Sequence, residues 1–253
     1  MPAPDTSTSD RAGVSIQAYA RITGVLILIS IVFGTFGEAY APSKLIVTGD
    51  AAATARNILD SPLLFRAGFA AYLVEAVCDV TLALLFYLLL RPVNRDLALL
   101  SAFLGIVATV TYAFAECFYF APTLILSGAD FLKPFTQEQL NAFSLLSLRL
   151  FGRIAGIFIG FYGLATIIRG YLVYRSGYLP RVLGILFIVG GAGFVVENAF
   201  VVLAPAYATP LLLFLMAPAG VAMLFWLLAR GVDVEKWRSS VVRTVTPMTP
   251  HEA

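Results

Sequence analysis

Glu75 and Asp79 lie four residues apart inside an apolar stretch, Tyr72-Leu-Val-Glu-Ala-Val-Cys-Asp-Val80. A helix there carries both carboxylates on one face, one turn apart. In hydrocarbon each charge costs roughly 2.5 to 3.5 kcal/mol on insertion scales, so such acids are expected to face a bundle interior or a watery cavity. Three more acids, Glu38, Glu116 and Glu197, stand in other apolar runs, and Arg149 and Arg153 repeat the four-residue spacing. Counted inward from Arg66 at 1.5 Å per residue, Glu75 lies about 13 Å deep and Asp79 about 20 Å. The other acids and the arginine pair fall in the same outer half of their spans. Arginine can grip a carboxylate in a bidentate fork, so Arg149 and Arg153 are the expected partners of Glu75 and Asp79.

Two chemistries fit this set. One is a pocket, open to the outside, that binds or carries a small molecule through Glu75, Asp79, Glu116, Glu197, Glu38, Arg149 and Arg153. The other is a network of ion pairs that only orders the helices, as in a structural or accessory membrane protein, where buried pairs offset desolvation only with good geometry. The acids outnumber the arginines, which leaves at least one carboxylate to be accounted for. A third reading, an intramembrane enzyme acting on lipid, is weaker. There is no nucleophile–base pair, no P-loop, no G-x-S-x-G and no G-x-G-x-x-G. The one histidine, His251, lies in the tail, which disfavours zinc and Ser-His catalysis. No cofactor and no metal site are expected.

The elements that must hold these residues follow from composition. The chain is 60% hydrophobic and 13% charged, against nearer half and a quarter in soluble domains, so it reads as a polytopic membrane protein. A net charge of +2 is too small to imply a nucleic-acid partner. Cys78 and Cys117 sit in apolar helices without a Cys-x-x-Cys spacing and read as buried free thiols.

The fold expected is all-α: a polytopic bundle of six transmembrane spans. Residues 1–15 are polar, with Pro2 and Pro4, and read as a disordered cytoplasmic lead. Residues 16–231 form the six-helix domain, and 232–253 a polar cytoplasmic tail. The spans are placed at about Gln17–Tyr40, Leu63–Leu90, Leu97–Pro122, Ser147–Tyr174, Val182–Leu203 and Pro210–Ala229. Ala39-Tyr-Ala41 resembles a signal-cleavage site, but Pro42 follows and Asp5 and Asp10 precede the run, so the first span is read as uncleaved. Thr136-Gln-Glu-Gln139 reads as a capped helix start that runs unbroken from Glu138 into the fourth span. An even number of spans puts both termini on one side. Arg11, Arg21, Arg91, Arg95, Arg175, Arg181, Arg230, Lys236, Arg238 and Arg243 mark that side as cytoplasmic. Gly152-x-x-x-Gly156-x-x-x-Gly160, with Gly163, and Gly184, Gly190, Gly191 and Gly193 read as close-packing faces. Tyr40, Tyr119, Tyr171, Tyr174, Tyr178 and Trp226 near span ends read as an aromatic belt. A faint echo, Arg21-Ile-Thr-Gly-Val against Arg181-Val-Leu-Gly-Ile, hints at related hairpins but is within what apolar helices match by chance.

The chain resembles the bacterial polytopic membrane proteins grouped as domain of unknown function 4386. The matching stretches are Arg21-Ile-Thr-Gly-Val25, Gly49-Asp-Ala-Ala-Ala-Thr-Ala55, Phe65-Arg66, Cys78-Asp-Val80, Arg91-Pro-Val-Asn-Arg95 and Tyr174-Arg-Ser-Gly-Tyr-Leu-Pro-Arg-Val-Leu-Gly184. The resemblance covers about residues 17–231. It implies six spans and a bacterial inner-membrane setting. Apart from the resemblance, the partners expected are the lipid bilayer, a small molecule on the binder reading, and a second copy of the chain on the structural reading. It implies no catalytic mechanism.

Overall fold

The computed structural model describes residues 6–245. Among them there are helices and connecting turns and no strand. The helices are α1 (Thr6–Gly34), α2 (Ala41–Leu45), α3 (Ala51–Asp60), α4 (Pro62–Leu90), α5 (Arg95–Phe120), α6 (Pro122–Ile125), α7 (Gln137–Ser176), α8 (Arg181–Leu203), α9 (Ala217–Ala229) and α10 (Val234–Val245). Six segments are long and apolar enough to cross a membrane: Ile16–Leu45, Pro62–Leu90, Arg95–Ile125, Gln137–Ser176, Arg181–Leu203 and Leu211–Ala229. The chain is a multi-pass membrane protein, with the spans where the apolar runs put them.

Helix extends into both ends of the described chain. Helix α1 begins at Thr6, inside the stretch read as an unstructured lead, and α10 occupies much of the polar tail. His251 lies outside the described residues. Cys117 is exposed rather than buried, while Cys78 is buried as expected.

Local chemistry explains the helix boundaries. Asp50 caps α3 by accepting from the Ala53 N–H at 2.8 Å. Helix α7 starts on a reciprocal capping box: Gln139 N–H donates to Thr136 Oγ1 at 3.3 Å, and Thr136 N–H donates to Gln139 Oε1 at 2.9 Å. From that cap α7 runs unbroken for 40 residues, as the sequence predicted. The sixth span opens as a 3₁₀ helix, Pro210–Met216, before α9. At about 2.0 Å per residue the 3₁₀ turn stretches this short segment to roughly 33 Å in all, enough for the hydrocarbon layer.

The chain divides into two compact units. The first comprises Met1–Leu28, Thr81–Gly105 and Phe161–Ala253; the second comprises Ile29–Val80 and Ile106–Gly160. In the first unit α7 and α8 meet through glycine. A Cβ on Gly163 would stand 2.8 Å from the Gly191 carbonyl oxygen, and one on Gly170 would stand 2.7 Å from that of Gly184. The reciprocal distances, from Gly191 to Gly163 O and from Gly184 to Gly170 O, are 2.7 and 2.6 Å. Without a hydrophobic drive between helices in lipid, this backbone approach supplies the packing. Gly152, the first residue of the tandem motif, meets nothing within 4 Å, in contrast to Gly163. The opposite edge of α8 receives the 3₁₀ segment, with Gly190 against Met216 and Gly193 against the Leu212 carbonyl.

At the end of α4 the Leu89 carbonyl accepts from Tyr178 Oη at 2.7 Å and from Trp237 Nε1 at 3.1 Å. Tyr178 is thus a buried tie rather than a belt residue. Tyr178→Phe is expected to cost only about 0.5–1.5 kcal/mol, since Trp237 still satisfies the carbonyl. Combining it with Trp237→Phe should cost more than the sum, because the carbonyl is then orphaned. Chemical unfolding of the two single variants and the double variant in detergent measures that excess.

Candidate functional site

The second unit gathers most of the acids. On α4, Tyr72, Glu75 and Asp79 share a stripe, and Leu73, Val77 and Val80 occupy the exposed face. Glu75 and Asp79 are half-buried, unlike the exposed residues beside them. Glu75 stands within electrostatic reach of Glu38, Asp79 and Glu116.

Glu38 sits in a π-helical turn, Thr35–Tyr40, between α1 and α2. A π turn carries one extra residue per loop of hydrogen bonding and is a frequent mark of functional sites. Tyr72 Oη donates to the Gly37 carbonyl within this turn, at 2.7 Å and buried. Glycine leaves room for close neighbours on this face. A Cβ on Gly34 would stand 2.6 Å from Glu75 Oε1, and one on Gly37 would stand 3.2 Å from the Gly68 carbonyl. Glu38 itself lies at the protein surface, and its carboxylate accepts from Tyr112 Oη at 2.5 Å.

Helix α5 contributes Tyr112, Glu116 and Tyr119 at spacings of four and three, hence on one face. Glu116 and Tyr119 are each only 1% exposed. The Tyr119 hydroxyl lies 2.7 Å from where a Gly68 Cβ would be, so Gly68 makes room for it. Aromatic rings wall this region. Tyr72 meets Tyr119 at 5.0 Å, Phe151 at 5.5 Å and Tyr112 at 5.7 Å between centroids, and Phe65 stacks on Tyr119 at 4.8 Å. Three buried polar atoms here have no hydrogen-bond partner in the protein: Glu75 Oε2, Glu116 Oε1 and the Tyr119 hydroxyl.

The arginines do not join them. Arg149 and Arg153 are both exposed, and the ion pairs seen among the described residues, Lys133–Asp130 and Lys236–Asp233, include neither. The cause is helical phase. Ser144, Leu148 and Phe151 turn inward, and at 100° per residue Arg149 and Arg153 stand about 100° and 140° around α7 from Leu148. Glu197 also has a different task. It belongs to the first unit, is 5% exposed, and accepts from the Thr209 N–H at 3.1 Å, just before the 3₁₀ segment. That bond satisfies a donor at a helix start.

Of the five acids that the sequence sets at one depth, Glu38, Glu75, Asp79 and Glu116 fall in the second unit and Glu197 in the first. Tyr119 is a buried wall residue rather than part of a belt, and Tyr72 and Tyr112 join it in the wall. The usable signal was the spacing of Tyr112, Glu116 and Tyr119, which puts two phenols beside an acid on one helix face.

A curated relative from Archaeoglobus fulgidus, described as an uncharacterized protein, is 30% identical over 122 residues, 48% of this chain and 59% of its own length. The chain therefore spans under two thirds of that relative. No solved structure matches. The profile of a domain of unknown function, DUF4386, matches residues 22–231, well over half of the chain, and the chain belongs to that family.

Proposed function

We propose that this protein is a membrane-embedded binder or carrier of a small molecule, with its site among Glu75, Glu116 and Tyr119. The observation that carries the reading is Glu116. A carboxylate buried to 1% exposure with an oxygen that no protein group bonds is expensive, and it stabilises nothing visible. A purely structural network would have closed it with an arginine, and the two candidate arginines point elsewhere. The basic residues of the lead, of the second and fourth turns and of the tail support cytoplasmic termini, an orientation in which the acid-bearing half of the spans opens to the outer side of a bacterial inner membrane.

The test is a thermal-shift screen of detergent-solubilised protein against metabolites, comparing wild type with Glu116→Gln. Compounds that stabilise the wild type and not the variant locate the site. Identical profiles across the panel would favour the structural alternative.

A further inference from the structure

We propose that the ligand of this site is a small protonated amine, primary or secondary, held by Glu75 and Glu116 inside the aromatic wall of Tyr72, Tyr112, Tyr119 and Phe151. The inference rests on the binding reading above and adds the chemical class.

The first argument is charge. Glu38, Glu75 and Glu116 lie within electrostatic reach of one another, and Arg149 and Arg153 are turned to the exposed face of α7. A cationic ligand would offset the charge of these carboxylates as they ionise. The second is the donor set. Among the described residues no three His, Cys, Asp or Glu side chains are grouped as metal ligands, so the acids do not form an oxygen cage for a hard cation. The third is the wall. Tyrosine and phenylalanine faces attract an organic cation through the ring quadrupole, more strongly where water is excluded. The fourth is valence. Glu75 Oε2 and Glu116 Oε1 are acceptors lacking donors, and the Tyr119 hydroxyl can accept as well. An ammonium group with two or three N–H bonds satisfies them; a quaternary ammonium has none to give. The unpartnered acceptors therefore favour an N–H cation over a methylated one of equal size.

Two sources carry this chemistry: a free amine in solution, and the headgroup of phosphatidylethanolamine. The experiment measures binding to detergent-solubilised full-length protein by calorimetry and thermal shift. Its probes are n-butylammonium, putrescine and tetramethylammonium, with phosphatidylethanolamine and phosphatidylcholine added in mixed micelles. We expect n-butylammonium or putrescine to bind at least about tenfold more tightly than tetramethylammonium, and Glu75→Gln and Glu116→Gln each to weaken them about tenfold or more. Stabilisation by phosphatidylethanolamine over phosphatidylcholine, with no response to the free amines, keeps the chemistry and assigns it to lipid. Equal affinity for tetramethylammonium and n-butylammonium overturns the proposal. So does a response to neutral or anionic metabolites alone, which leaves the binding reading intact, whereas a Glu116→Gln variant that responds to every ligand as wild type does removes both. If the glutamine variants do not fold, the order of the three cations on the wild type decides.

Discussion

Replacing Gly184 by alanine should lower the stability of the protein by about 2–3 kcal/mol, the upper range for overpacking a tight contact. The added methyl would stand 2.6 Å from both the Gly170 carbonyl oxygen and the Tyr174 nitrogen, and 2.8 Å from Tyr174 Cβ. Two of these obstacles are backbone, so no side-chain rotation relieves them and the helices must separate. Gly152→Ala is the internal comparison. Its new methyl meets nothing within 4 Å, and removing a mid-helix glycine should stabilise α7 by about 0.5–1 kcal/mol. Thermal unfolding in one detergent should therefore move the two variants in opposite directions. Equal melting temperatures for Gly184→Ala and wild type would mean that α7 and α8 are not in this contact.

The second large effect concerns Glu116. Glu116→Leu should raise the stability of the ligand-free protein by about 1–3 kcal/mol, the desolvation cost of a buried group left without a bond, while abolishing any ligand response. Gain of stability with loss of function is the pattern of a site that holds strain for a task. A Glu116→Leu protein that melts below the wild type would instead show that Glu116 holds helices together. Chemical unfolding monitored by intrinsic fluorescence, with and without n-butylammonium, separates the two outcomes.

The bundle was legible because its signals are long. Twenty apolar residues in a row, the stops at Arg91-Pro92 and Leu179-Pro180, and the Thr136 cap each survive without knowledge of neighbours. The site was only half legible. The cost of lipid exposure, a local argument, predicts shelter for Glu75 and Asp79, and both are half-buried. The arginine partnership did not, because a four-residue spacing fixes that two side chains share a face and leaves open which face it is. On α7 the inward stripe is set by Ser144, Leu148 and Phe151, and the arginines fall outside it. The π turn was invisible for a related reason. Gly34 and Gly37 weaken a helix in many contexts, and only the Tyr72 hydroxyl waiting at the Gly37 carbonyl turns that weakness into a specific geometry.

The glycine seam has a mechanical consequence. Its contacts pair Gly163 with Gly191 and Gly170 with Gly184, so the close points recur every seven residues along both helices. Seven residues are about 10.5 Å of axial travel. Any smaller slide of α8 along α7 drives a bulkier residue into a gap that admits only hydrogen, and a slide of the full interval breaks the second contact. The pair works as a latch with one setting, and any motion involving α7 and α8 here must carry both helices as a single rod.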